Sequence, residues 1–146
     1  MRVIVPGVIT AEEAASLAST VGYLDWGDDR LVGILERVRE IAPVSLCEGS
    51  YVRVEQRPDG CPWHQDTGTA GHMGWCRYTA GILLVSPSGF TGGGFYFCDE
   101  PDKPLFHYCD LLVWSGGDDN VHCVSRNSGE RIALLMFFGG SEDVGD

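Results

Sequence analysis

No stretch of this sequence approaches the roughly 18 consecutive apolar residues that a membrane-spanning helix requires. The opening "MRVIVPGVIT" has a short apolar run but not the length of a signal-peptide hydrophobic region. These absences lead us to expect a soluble, cytoplasmic protein with no membrane partner. Basic residues are also scarce, with 10 Lys and Arg against 21 Asp and Glu and a formal net charge of −11. Duplex nucleic acid is therefore not expected as a general partner, because displacing its counterions takes a basic excess. A local basic groove remains compatible with that total. The six cysteines (Cys47, Cys61, Cys76, Cys98, Cys109 and Cys123) include no C-x-x-C pair. That argues against a zinc ribbon and, without a secretion signal, against a disulfide scaffold. Most of them read instead as reduced small hydrophobes.

What is present fits one globular domain. The 146 residues are 44% hydrophobic and include 20 glycines, enough for a single loop-rich core with no internal repeat or linker. Thr10 opens "TAEEAASLAST" with Glu13 three residues on, the spacing of a capping box, and Ala14, Leu17, Ala18 and Val21 then share a helical face. "DDRLVGILERVREIAP" predicts a second helix with Leu31, Ile34, Leu35, Val38 and Ile41 as its apolar stripe and Pro43 just past its end. Beyond Pro43 the texture changes to strands and turns. "YVRVEQ" alternates, with Tyr51, Arg53 and Glu55 on one face and Val52 and Val54 on the other, and "PDG" marks a turn. "WCRYTAGILLV", "GGGFYF", "HYCDLLVWS", "NVHCV" and "ERIALLMFF" follow, separated by turn-forming stretches. Two packing helices in a lead-in over 1–42, then seven or eight short strands over 43–140, predict a mainly β, α+β domain. A jelly-roll or cupin-like barrel is its natural closure.

Histidine is rare, with four in the chain, and one of them stands in "CPWHQDTG". On a strand residues i and i+2 share a face, so His64 and Asp66 are expected to aim an imidazole and a carboxylate at one point while Trp63 and Gln65 face away. Two such ligands suggest a metal and call for a third. His72 lies in the glycine-rich "TGTAGHMG" and reads as exposed or substrate-side, and His107 has no acidic partner at ligand spacing. His122 sits on the short strand "NVHCV"; a lone histidine there is ordinarily structural. Nine residues later, Arg131 opens the strand "RIALLMFF", which is apolar on both faces and therefore buried on both. A guanidinium in such surroundings needs a planar anionic partner, either an internal carboxylate or that of a ligand.

This order of elements resembles the Fe(II)/2-oxoglutarate-dependent dioxygenases, and among them the prolyl 4-hydroxylase-like branch. Those proteins carry H-x-D on one strand, a Gly-Gly before an intervening strand, a distal His, and a basic residue nine or ten positions further on. Here the corresponding pieces are His64-Gln65-Asp66, "GGGFYF", His122 and Arg131, and "VPGVITAEEAASLAS" looks like the family's lead-in helix. The likeness covers most of the chain and implies a double-stranded β-helix fold. It implies Fe(II) held by His64, Asp66 and His122 as the catalytic metal set, with 2-oxoglutarate and O2 as cosubstrates and ascorbate as a supportive reductant. The implied reaction is decarboxylation of 2-oxoglutarate to succinate coupled to hydroxylation of a C–H bond. Arg131 takes the role of gripping the far carboxylate of 2-oxoglutarate. Many relatives add a tyrosine on the strand after H-x-D. Counting from Arg77, that position is Leu84 here, leaving Tyr51, Tyr78 and Tyr96 as replacements, with Tyr51 preferred. The segment from Asp66 to Arg77 is longer than usual, which suggests a substrate-side lid in "TGTAGHMGW" and a substrate-binding role for Arg77.

Two other functions fit parts of the same pattern. A non-catalytic β-barrel could hold a metal or small acid without turnover. A zinc hydrolase could use the same three ligands, but it gives Arg131 no task and has no glutamate base beside the metal motif. For the oxygenase, the substrate is a peptide, suggested by the prolyl branch, or a small metabolite. Arg53, Glu55, Arg77, Trp63 and Trp75 are candidates to line the mouth.

Overall fold

The computed structural model describes residues 1–67 and 73–141. Its framework is an antiparallel sheet in the order β1-β9-β6-β12-β4-β2. These strands are β1 (Arg2–Val5), β2 (Gly22–Leu24), β4 (Tyr51–Gln56), β6 (Tyr78–Leu83), β9 (Leu111–Ser115) and β12 (Ile132–Gly140). The two-residue β3 (Val44–Ser45) pairs with the far end of β12. A smaller sheet, β5-β10-β8, is built from β5 (Cys61–His64), β8 (Phe95–Phe97) and β10 (His122–Val124). A two-stranded ribbon joins β7 (Phe90–Gly92) to β11 (Asn127–Gly129). This is the expected jelly-roll arrangement, with ten strands over 43–140 where seven or eight were expected, because several are only two or three residues long.

The alternation of side chains on the large sheet divides the protein into two layers of core. On the outer face, Val52, Val54, Ala80, Ile82, Leu84, Leu134, Met136 and Phe138 meet the apolar stripes of α1 (Ala11–Ala18) and α2 (Val32–Ile41). Ala14, Leu17, Leu31, Ile34, Leu35 and Val38 are the helical contributors. On the inner face, Leu112 and Trp114 join Phe95, Phe97 and Leu105 in a second, more aromatic cluster between the sheets. β12 is buried on both faces because it lies between β6 and β4 and has helices on one side and the small sheet on the other. Its uninterrupted apolar run is what such a position demands. No helix of the described residues is long and apolar enough to cross a membrane.

Thr10 and Glu13 form the expected capping box, each side chain bonded to the other's backbone N–H. Helix α1 is shorter than its periodicity predicts. The Ser19 and Thr20 hydroxyls turn back onto the Ser16 and Leu17 carbonyls, and Val21, expected on the apolar face, is exposed beyond the helix end. The sheet also begins earlier than expected, since β1 precedes α1 and β2 lies between the helices. "RVIV" and "GYL" are too short for a period to emerge, and their conformation is set by pairing with β9 and β4. Leu84 packs on the helix side. The β6 residues that point inward are Thr79, Gly81 and Leu83, with no tyrosine among them.

Thr10→Ala removes one half of a cap and should cost about 1 kcal/mol. Leu134→Ala, at the fully buried centre of β12, should cost roughly 2–5 kcal/mol. Urea unfolding of both variants checks this ordering, and equal losses would contradict the placement of β12 at the heart of the core.

Candidate metal centre and anion cavity

β5 and β10 pair antiparallel with His64 directly opposite His122, which brings the two rings to 4.3 Å between centroids. Backbone carbonyls set which nitrogen of each ring is free. His64 Nδ1 lies 2.7 Å from the Pro62 carbonyl and His122 Nδ1 lies 2.8 Å from the Asn120 carbonyl. A carbonyl only accepts, so each Nδ1 must donate its proton, leaving each Nε2 lone pair available. Both Nε2 atoms face Asp66 Oδ1, at 3.6 Å from His64 and 3.3 Å from His122. Asp66 lies just beyond the end of β5, in the bend after His64, so convergence comes from that bend as well as from strand alternation. Trp63 is half exposed, as its alternation requires, and Gln65 donates to the Thr67 carbonyl.

The Asp66 carboxylate is divided between two tasks. Its Oδ2 accepts from Thr79 Oγ1 and from Trp114 Nε1, both at 2.8 Å and both from buried side chains of the large sheet. Its Oδ1 is left for the histidines. Burial pushes this carboxyl upward, but its close contacts with His122 and His64 and the bond from Thr79 outweigh it and hold it well below the usual carboxylate range. Asp66 in turn raises His64, more than burial lowers it. The pocket thus favours positive charge between these atoms. The three ligand atoms lie within 4.8 Å of one another, and two imidazoles with one carboxylate on one side of a cation match the donor set of non-haem Fe(II) sites with open positions. The residues present therefore fit such an ion. Aromatic rings close the back of the site, with His122 stacked on Phe95 at 5.0 Å and edge-on to Trp114 at 5.4 Å.

Arg131 lines the same cavity as His64, Asp66 and His122. It is 1% exposed, and its Nε donates to the Gly93 carbonyl at 2.7 Å. The buried Nη2 has no hydrogen-bond partner, an orphaned donor of the kind that calls for a ligand acceptor. Burial lowers the Arg131 pKa, and the Glu55 carboxylate opposes that shift. Gly93 belongs to the "GGG" stretch, and the reason for glycine is local. Its φ is +72°, and a Cβ there would sit 2.4 Å from Arg131 Cδ. Only the bare backbone lets the arginine pass and be gripped by its carbonyl.

The remaining expected residues fall in different places. Tyr51 lines an adjoining open cleft together with His64 and Asp66, stacks on Phe137 at 4.6 Å, and directs its hydroxyl to Met73 Sδ at 3.8 Å. It does not line the cavity that holds Arg131. Arg77 donates to the Gly74 and Cys76 carbonyls and borders a separate surface pocket with Thr67 and Gly116. Tyr96 borders a pocket with Gly93 and Phe106, and Tyr78 packs against the helix-side core. His72 and most of the suggested lid lie outside the described residues. Thr79, Trp114 and Asn120 went unnoticed in the sequence. Asn120 is buried and clamps the segment before His122 by donating to the Ser115 and Met1 carbonyls. Trp114 stands in the apolar run "LLVW", all of it buried, and nothing in the sequence marked its indole as a donor to a ligand.

No family model matches the sequence, and no curated protein sequence gives a significant match. Solved structures do match. A viral collagen prolyl hydroxylase from Paramecium Bursaria Chlorella virus-1, in complex with 2-oxoglutarate, superposes with a TM-score of 0.72 over 95% of each chain at 14% identity. A Pseudomonas putida prolyl-4-hydroxylase gives 0.69 over 95% of this chain and 92% of its own, at 15% identity. HygX from Streptomyces hygroscopicus, with nickel, 2-oxoglutarate and hygromycin B bound, gives 0.57 over 96% and 83% at 16% identity. At these identities the likeness establishes the fold, which is that of the 2-oxoglutarate oxygenases.

The support of Asp66 by the large sheet is testable through metal affinity. Thr79→Val and Trp114→Phe each remove one donor to Oδ2, and changes behind a ligand typically weaken binding about 10–100-fold. His64→Ala, Asp66→Ala and His122→Ala should each abolish tight binding. Anaerobic titration with Fe(II), and with Co(II) as a spectroscopic substitute, measures both. Full metal stoichiometry in His122→Ala would remove that residue from the ligand set.

Proposed function

We propose that this protein is an Fe(II)/2-oxoglutarate-dependent oxygenase that couples conversion of 2-oxoglutarate to succinate with hydroxylation of a C–H bond. The observation that carries the proposal is the sharing of one cavity by a His64/Asp66/His122 ligand set and a buried arginine with an unsatisfied donor. A metal site alone would serve many chemistries. A guanidinium buried in the same cavity supplies the second half of a grip on a dicarboxylic acid. The fold shared with 2-oxoglutarate oxygenases supports the same reading.

Each residue then has a defined task. His64 and His122 present Nε2, and Asp66 presents Oδ1, toward one side of the ion. When bound, Fe(II) supplies the redox chemistry with O2 that the protein's own side chains cannot. Arg131 receives the far carboxylate of 2-oxoglutarate and so fixes which end of the cosubstrate faces the metal. Phe95, Phe106 and Trp114 wall the cavity and limit water and side reactions, the protein's ordinary share in cofactor chemistry. Tyr51 and Arg77 are assigned to the approaches, Tyr51 beside the ligand set and Arg77 at the end of the 67–76 segment. The substrate is a peptide or a small metabolite, and ascorbate is the reductant expected to sustain activity. The six cysteines are unpaired thiols, which supports a reducing, cytoplasmic setting.

The decisive variant is Arg131→Met. Protein supplied with Fe(II), O2 and ascorbate should slowly form succinate from 2-oxoglutarate even without its substrate. Losing one partner of a desolvated charge pair costs on the order of 2–5 kcal/mol. Arg131→Met should therefore keep fold and metal but weaken 2-oxoglutarate binding by roughly two orders of magnitude, at about 1.4 kcal/mol per tenfold. Arg131→Lys should lose less, since it keeps the charge without the planar fork. A large fall in melting temperature with unchanged affinity would assign Arg131 to Glu55 as a structural partner. Absence of both succinate and 2-oxoglutarate binding in the wild type would favour a non-catalytic binding barrel.

A further inference from the structure

Between the metal cavity and solvent runs a cleft lined by Tyr23, Tyr51, Arg53, Arg57, Met73 and Phe137. Arg53 and Arg57 border both the cavity and this cleft. The strand period explains half of this, because Tyr51, Arg53 and Glu55 share the inner face of β4. Arg57 follows where the chain leaves the strand for the "PDG" turn. Resting on the proposed oxygenase reading, we infer that this cleft selects a substrate bearing a carboxylate beside an apolar body. Arg53 and Arg57 receive the carboxylate, and the tyrosine–phenylalanine wall receives the body.

Charge is the first support. Arg53 lies 2.8 Å and Arg57 3.6 Å from the same Glu55 oxygen. One carboxylate thus neutralises only one of the two guanidiniums. Over the whole cavity, three guanidiniums (Arg53, Arg57, Arg131) face two carboxylates (Glu55, Asp66). With a divalent ion and the dianion of 2-oxoglutarate both in place, one positive charge is still left over. It resides at the mouth, because Arg131 is already committed deeper in. The chain's net charge of −11 repels anions at long range, so this local excess is not a by-product of a basic surface.

Unused bonding capacity is the second support. Arg53 Nε is buried and has no hydrogen-bond partner, while Glu55 Oε2 meets the two guanidiniums as an ion pair without a hydrogen bond of its own, and Arg57 is only partly covered. The apolar half is equally defined. Tyr51 stacks on Phe137 at 4.6 Å and Tyr23 meets Tyr51 edge-on at 5.8 Å, yet Tyr23 remains 73% exposed. Aromatic rings set beside unsaturated guanidiniums suit a ligand with one apolar and one anionic end. A neutral peptide segment would leave the excess charge unanswered. The carboxylate can come from a free small acid or from an acidic side chain of a peptide.

The test uses protein loaded with Zn(II) and 2-oxoglutarate, which binds without turning over. The probes are N-acetylproline and N-acetylphenylalanine, each against its carboxamide, and a capped acetyl-Asp-Pro-amide peptide against its Asn counterpart. Binding is read by ligand-detected NMR. Acids should bind about tenfold or more tightly than their neutral partners, equivalent to about 1.4 kcal/mol. Whichever pair shows the preference identifies the source of the carboxylate. Arg53→Met and Arg57→Met should each erase most of it, and Arg53→Lys should keep part, with melting temperatures confirming the fold. Equal binding of acids and amides overturns the inference, as does a preference that survives in both Met variants or acids that bind only by displacing 2-oxoglutarate. Failure of 2-oxoglutarate itself to bind, seen calorimetrically before any probe is added, would instead refute the oxygenase reading.

Discussion

The carboxylate of Asp66 joins the two sheets, and the rest of the site depends on how its oxygens are apportioned. Thr79 on β6 and Trp114 on β9 hold Oδ2 from the large sheet, and Oδ1 is thereby turned toward His64 on β5 and His122 on β10 in the small one. Burying a carboxylate is costly unless its lone pairs are satisfied. Here the satisfaction is incomplete in one direction only, toward the point where the imidazole lone pairs also meet. The contacts with His122 and His64, together with the bond from Thr79, keep the carboxyl ionised. Packing, hydrogen bonding and charge thus impose the same requirement, a cation at the junction of the sheets.

The arginine cavity extends that logic inward and outward. Arg131 is tolerated in an aromatic interior because Gly93 provides both the space and one acceptor, and because Glu55 lies close enough to favour its charge. Glu55 is in turn held by Arg53 and Arg57. Arg53, Glu55 and Arg57 thus alternate in charge along and just beyond β4, and Arg131 lines the same cavity. Charges so arranged interact more strongly than they would at the surface, and each is available to a ligand only because its neighbour leaves it partly unsatisfied.

What the sequence made legible follows the chemistry of the side chains. His64, Asp66, His122 and Arg131 stand out because histidine is rare and because a charged residue opening an apolar strand needs a partner. The structure brings all four to one cavity. The alternation of β4 and the stripe of α2 were equally readable, since both are long enough to show a period. Thr79, Trp114 and Asn120 were not, because a threonine, a tryptophan and an asparagine in or beside strands have many ordinary uses. Only the folded register shows that one hydroxyl, one indole and one backbone carbonyl orient the ligand set. β1 and β2 escaped for a related reason. They are strands by virtue of their neighbours, and a run of three or four residues carries too little pattern to announce them.

The position of β12 has a consequence for how the molecule assembles. The strand at the middle of the large sheet is the furthest along the chain, and it pairs with β4 and β6, which are made much earlier. β1, at the other extreme, must wait for β9. Until β12 arrives, β4 and β6 present open edges to one another across a gap, and Arg131, at the head of β12, is not yet in place. Non-local pairing of this kind makes for slow folding. The candidate ligands His64, Asp66 and His122 all precede β12 in the chain, so they are synthesised before the strand that completes the sheet around them. Arg131 reaches the cavity only when β12 is seated between β4 and β6, so one set of pairings completes both the sheet and the lining of the cavity.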